Sequence, residues 1–284
     1  MLDILVKKPK NESLVAQLGS LYLSFQNVPK GERAHFDLSE LDWACPLLLL
    51  PLATYIGETG STYTPPASNK VAEYLNAVGF PLGVDSLDDF ETQTQLHKSY
   101  ISISVLKKER GVEREKLEML FCKMVYKSLS SIGGAQNAVY QPIGEFVTNI
   151  FEHSHKDSGY LFGQHYSKKN YLDICIVDCG KGFAQSYKDA GHTTLSSEDA
   201  ISEVMRGVST KPSRERGFGV WTSKDIVCKA LGGDFIILSG SAAFIAQSSE
   251  EKLVTLPNFN WQGVLVAYRI PEPKGPIDIT PYVE

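Results

Sequence analysis

The feature that most restricts what this chain can fold into lies between Pro142 and Gly182, where two polar clusters stand inside otherwise apolar segments. At about 100° per residue, Glu145, Asn149, Glu152 and His153 share one arc of a helix, while Ile143, Phe146, Val147, Ile150 and Phe151 cover the opposite side. The spacing predicts a helix with a polar stripe. Further on, Leu172, Ile174 and Ile176 alternate into Asp178, and the run breaks at Gly180 and Gly182. A buried strand thus delivers one carboxylate to a glycine turn, where it must find hydrogen-bond donors.

These residue types suit a nucleotide. Mg²⁺ is a hard ion that keeps several waters, so one amide oxygen, that of Asn149, suffices beside phosphate oxygens. Asp178 can accept from an exocyclic amine, and Glu145, one turn before Asn149, can activate water or a hydroxyl. Gly180, Gly182, Gly217 and Gly219 permit positive φ and close backbone approach to phosphates, with a helix N-terminus following Gly219. The bland alternative for Glu145 and Asn149 is a solvated helix face; for Arg206, Lys211, Arg214 and Arg216 it is a solvated cluster rather than a γ-phosphate clamp, with Lys211 the best candidate for phosphate.

Glu145-x-x-x-Asn149 and Asp178-x-Gly180-x-Gly182 resemble the first two nucleotide-binding boxes of the GHKL superfamily, named for gyrase, the heat-shock chaperone, histidine kinases and MutL. The run Arg216 to Trp221 is similar to the third box, Ser209-Thr-Lys211 precedes it as in many kinase lids, and Gly263 to Pro271 resembles the family's last strand. Glu145-Phe-Val-Thr-Asn-Ile-Phe-Glu-His153 is similar to the first box of the serine kinases that act on anti-sigma antagonists, although His153 serves equally as a cap or packing residue. The resemblance implies an ATP-binding α/β two-layer sandwich of the Bergerat type over residues 113–271, with ATP and Mg²⁺ as ligands.

Net charge is −5, which offers no global basic field, so nucleic acid is not expected as a partner. The N-terminus lacks the apolar core of a signal peptide, and the apolar run Leu47 to Leu50 meets Pro51, far short of the roughly 20 residues that span a bilayer. A cytoplasmic protein without a membrane partner is the expectation. Cys45, Cys122, Cys175, Cys179 and Cys228 are odd in number and form no C-x-x-C pair, which reads as reduced, packed thiols.

At 284 residues, with 43% hydrophobic, the chain has room for two domains. Within residues 1–95 a helix-compatible stretch (Asn11 to Gln26), a strand (Arg33 to Leu38), an apolar helix (Leu47 to Ile56), a polar loop (Gly57 to Asn69) and a second helix (Lys70 to Ala77) predict a small α/β unit with a covered sheet. Phe36-Asp-Leu-Ser39, the helix, and the stop Val78-Gly-Phe80 resemble a STAS domain, the fold of anti-sigma-factor antagonists. That family's acceptor serine would fall near Asp42-Trp-Ala-Cys45, where no serine stands, so the resemblance implies an interaction or sensing domain rather than a phosphoacceptor. Residues 85–98 read as polar linker, and residues 96–112 as linker end and first strand, with Ile101, Ile103 and Val105 alternating. Leu117 to Leu129 recur at helical spacing, Phe235 to Leu238 and Ala243 to Ala246 predict a hairpin, and residues 272–284 are a Pro-rich tail.

Three functions compete. The first is a GHKL-type ATPase or protein serine/threonine kinase that couples nucleotide state to a regulatory partner protein, with a homodimer left open. The second is a nucleotide-gated sensing module without turnover. The third, a purely structural interaction protein, leaves the glycine boxes and Asp178 unexplained.

Overall fold

The computed structural model describes residues 2–93, 99–129, 132–208, 219–247 and 250–283. The N-terminal part alternates Leu2–Leu5 (β1), Leu14–Phe25 (α1), Ala34–Asp37 (β2), Pro46–Thr59 (α2), Thr62–Thr64 (β3) and Asn69–Ala77 (α3). β1 and β3 flank β2, all parallel, and a helix makes each crossover, as parallel pairing requires. Ser13 caps α1 by accepting from the Ala16 amide at 3.2 Å, and Gly60 ends α2 in the left-handed region at φ 66°. β1 and β3 lie where the sequence shows no strand pattern. β3, three residues long, is held to β2 partly by side chains: the His35 ring nitrogens meet the Thr62 and Thr64 hydroxyls at 2.8 and 2.9 Å.

Leu87–Gln93 (α4) follows, inside the segment read as linker; its Phe90 is buried, one apolar anchor in an otherwise polar run. Then come Tyr100–Lys107 (β4), Val112–Ser128 (α5), Ala135–His153 (α6), Ser158–Tyr166 (β5), Tyr171–Val177 (β6), Gly182–Asp189 (α7), Ser197–Met205 (α8) and Gly219–Asp225 (α9). α9 runs into one π-helical turn, Ile226–Ala230, before Asp234–Gly240 (β7), Ala242–Gln247 (β8), Glu250–Thr255 (β9), Trp261–Pro271 (β10) and Thr280–Val283 (α10). Seven strands form one antiparallel sheet in the order β4-β5-β6-β10-β7-β8-β9, so the last strand of the chain runs through its middle. The protein is therefore mixed α/β, with a parallel three-stranded sheet and an antiparallel seven-stranded one.

Both faces of the large sheet are covered, so β6 carries apolar residues on both sides from Ile174 to Val177. Ile174 and Ile176 pack with residues of α5, α6 and α9, whereas Cys175 and Val177 pack with the N-terminal part. α2 accounts for much of that second layer: every residue from Pro46 to Ile56 is buried, against α1 on one side and β5, β6 and β10 on another, while Tyr55 stands edge-on to Phe36 of β2. A helix apolar all round needs such surroundings. β4 departs from simple alternation. A bulge between Ile101 and Ser104 turns Ile101 into the cluster of α5 and α6 while Ile103 and Val105 face the N-terminal part.

A buried ion pair ties the two parts together. Arg269 of β10 donates from Nε and Nη2 to the two Asp173 oxygens of β6, each at 2.7 Å, and Nη2 also reaches the Glu12 carbonyl at 2.8 Å. Gln17 of α1 donates to Asp173 at 3.2 Å. The five cysteines are free thiols, four of them buried. No helix among the described residues is long and apolar enough to cross a membrane.

Candidate functional site

α6 starts at Ala135, nearly three turns before the polar stripe begins at Glu145, with Gly134 as its cap at φ 80°. Pro142 is consequently interior and gives up one backbone hydrogen bond of the helix. Glu145, Asn149 and His153, successive at i, i+4 and i+8, line one cavity against the large sheet. The Asn149 amide nitrogen donates to Glu145 Oε1 at 3.3 Å, which leaves the amide oxygen as the acceptor for a ligand. Glu152, which the helical arc placed with them, is exposed and lies off the cavity; its carboxylate is 3.8 Å from His153 Nε2.

The cavity's second wall comes from β6 and β10. Asp178 follows β6 directly and is 3% exposed, with Oδ1 accepting from the Gly180 amide at 2.7 Å and Oδ2 from the Val264 amide at 3.3 Å. Burial pushes its carboxyl up to about 7, against the pull of those two amides and of Lys156. Around it Ile150, Ile176, Val264 and Val266 are apolar, so the cavity offers a flat hydrophobic lining with one buried acceptor.

The glycines earn their places differently. Gly182, at φ 71°, needs the left-handed region, but Gly180 and Gly219 do not; there the demand is space. A Cβ on Gly180 would lie 2.4 Å from the Ser154 carbonyl, and one on Gly219 would lie 1.6 Å from Glu145 Oε1. The start of α9 is therefore pressed against the carboxylate on α6. Lys211 and Gly217, with Arg214 and Arg216, lie outside the described residues. Arg206 sits at the surface with Glu203 at 3.0 Å, as a solvated pair.

Sequence reasoning did not single out Ser239 or assign Gly263 a part in the site. Ser239 Oγ accepts from the Phe183 amide at 3.1 Å and donates to the Gly263 carbonyl at 2.9 Å, fixing the turn that carries Gly182. Gly263 has φ 103°, and a Cβ there would stand 2.2 Å from the Asp178 carbonyl oxygen. Its only sequence signal was a glycine inside a strand pattern.

The charged and amide side chains that line the cavity are Glu145, Asn149 and Asp178. Among the described residues no group of three His, Cys, Asp or Glu side chains could hold an ion alone; a hydrated Mg²⁺ held by phosphate and water would need one protein oxygen, for which the Asn149 amide oxygen is placed. No family model matches the chain, and no curated protein or solved structure matches it either.

Proposed function

We propose that the chain binds Mg·ATP in the manner of the GHKL superfamily and either hydrolyses it or transfers its phosphate to a partner protein. The observation that carries this reading is Asp178: a carboxylate 3% exposed, each oxygen held by one backbone amide, opening onto an apolar slot beside Glu145 and Asn149. An antiparallel sheet with α5, α6 and α9 on one face is in keeping with the two-layer sandwich of that superfamily.

Asp178 would accept a hydrogen bond from the exocyclic amine of the base, and Ile150, Ile176 and Val266 would flank the ring. Asn149 would supply the one protein ligand to Mg²⁺, which would offset charge on the transferring phosphoryl group. Glu145 would orient or deprotonate the attacking hydroxyl, water in an ATPase or a side chain in a kinase. At the N-terminal end of α2, where a STAS-type acceptor would stand, Cys45 is the cap residue and is wholly buried, which supports a contact or sensing role for that part.

Calorimetric titration with Mg·ATP tests the reading. Wild type should bind and Asp178→Asn should lose at least tenfold in affinity; unchanged affinity in the variant, or none in wild type, sinks it. Labelled ATP then separates the chemistries: free phosphate marks an ATPase, labelled protein a kinase, and neither marks a nucleotide-gated sensor.

A further inference from the structure

A second cavity, of about 180 Å³, lies in the seam between the N-terminal part and the large sheet. Its N-terminal wall is built by Phe25, Tyr55 and Lys30, and its other wall by Lys156, Cys179 and Trp261. That second wall is shared with the candidate nucleotide site. In three adjoining stretches, neighbouring residues face opposite cavities: Ser154 and Lys156, Asp178 and Cys179, Val264 and Trp261. The Trp261 indole also donates to the Asp178 carbonyl at 3.2 Å, so the two cavities are back to back across the backbone that holds Asp178.

The lining defines a ligand class. Phe25 meets Tyr55 and Trp261 edge-on, with ring centroids 5.3 and 5.7 Å apart, so the three rings form one packed aromatic wall of the cavity. Cavities of about 150 Å³ accept benzene, so this one has room for a single ring with a small substituent. Three charged side chains line it: Glu58, Lys30 and Lys156. Glu58 is engaged twice, by Lys156 Nζ at 2.6 Å and by the Tyr160 hydroxyl at 3.2 Å. With that pair neutral, Lys30 leaves one net positive charge at the aromatic wall.

We propose that the seam cavity is a binding site for a small aromatic carboxylate, its ring against the wall formed by Phe25, Tyr55 and Trp261 and its carboxylate on Lys30, and that occupancy changes the affinity of the nucleotide site. The second half rests on the nucleotide reading above; the first does not. A ligand there touches both the N-terminal part and the backbone of Asp178, and a coupling between two sites is reciprocal.

Phenylacetate serves as the probe, titrated into the full chain by calorimetry and by Trp fluorescence. Saturable binding below about 1 mM is expected, with 2-phenylacetamide, which lacks the charge, at least tenfold weaker. Lys30→Glu, at an exposed position, should weaken phenylacetate at least tenfold, whereas Glu58→Gln, which leaves Lys156 uncompensated, should not weaken it. Absence of saturation, equal binding of the amide, or unchanged binding in Lys30→Glu overturns the site. Saturating phenylacetate should shift the Mg·ATP dissociation constant at least threefold in wild type but not in Lys30→Glu; no shift overturns the coupling. Phenylacetate binding that depends on Lys30 in a protein that takes up no Mg·ATP supports the seam site and overturns the nucleotide reading instead.

Discussion

Two carboxylates face one cavity from unlike surroundings. Glu145 is half-buried beside the Asn149 amide, while Asp178 is enclosed and held by two backbone amides. Those settings suit a group that acts on a nucleophile and a group that recognises a ligand. Glu145→Ala should therefore keep Mg·ATP affinity within about threefold and lose on the order of 10² to 10⁴ in turnover, measured as phosphate release or transfer. Loss of both together would move Glu145 into binding. Asp178 also bears on stability. Its carboxyl and that of Glu118, which burial on α5 likewise pushes up to about 7, titrate well above the usual carboxylate value of about 4. Between about pH 4 and 7 the folded state keeps protons that the unfolded chain has released, so these two groups make stability fall as pH rises through that window. Below it their full contribution is present; above it, it is lost. Urea unfolding of wild type and Asp178→Asn across pH 5 to 8 checks this: the variant should show the shallower decline, and parallel curves would remove Asp178 from the account.

At the scale of elements, the bulge in β10 decides whether Asp178 can be placed at all. The register with β7 shifts between Trp261 and Val264, which brings the Val264 amide to Asp178 Oδ2 and sets Gly263 against the Asp178 carbonyl. Gly263→Ala combines a φ of 103° with a Cβ 2.2 Å from that oxygen, so it should cost at least about 2 kcal/mol in denaturant unfolding. A loss under about 0.5 kcal/mol would mean that the strand relaxes freely. α6 was legible in outline because its stripe repeats within the element. The bulge was not, because the residues it serves are 86 positions apart along the chain.

At the scale of the molecule, the two parts share one core. Val177, Phe162 and Leu265 of the large sheet sit in the same buried cluster as Leu47, Leu50 and Phe25 of the N-terminal part. Removing residues 1–93 would expose that face of the sheet, so the remaining chain should aggregate or lose cooperative unfolding. Gel filtration and thermal unfolding of that shortened chain decide it; a monomer that melts cooperatively near the full-length temperature would establish two independent domains.

The sequence determined what repeats locally: the polar stripe of α6, the apolar run of β6 ending in Asp178, the β7–β8 hairpin, and α2, whose apolar residues go all round. Each follows from a period or a breaker within about a dozen residues. Only the tertiary structure decided that α2 serves as a layer between two sheets, that Ile101 turns away from Ile103, that Glu152 leaves the cavity, and that Gly180, Gly219 and Gly263 are glycine for space or backbone contact. Those outcomes depend on what each residue meets from elsewhere in the chain, and close packing fixes them once the elements are assembled.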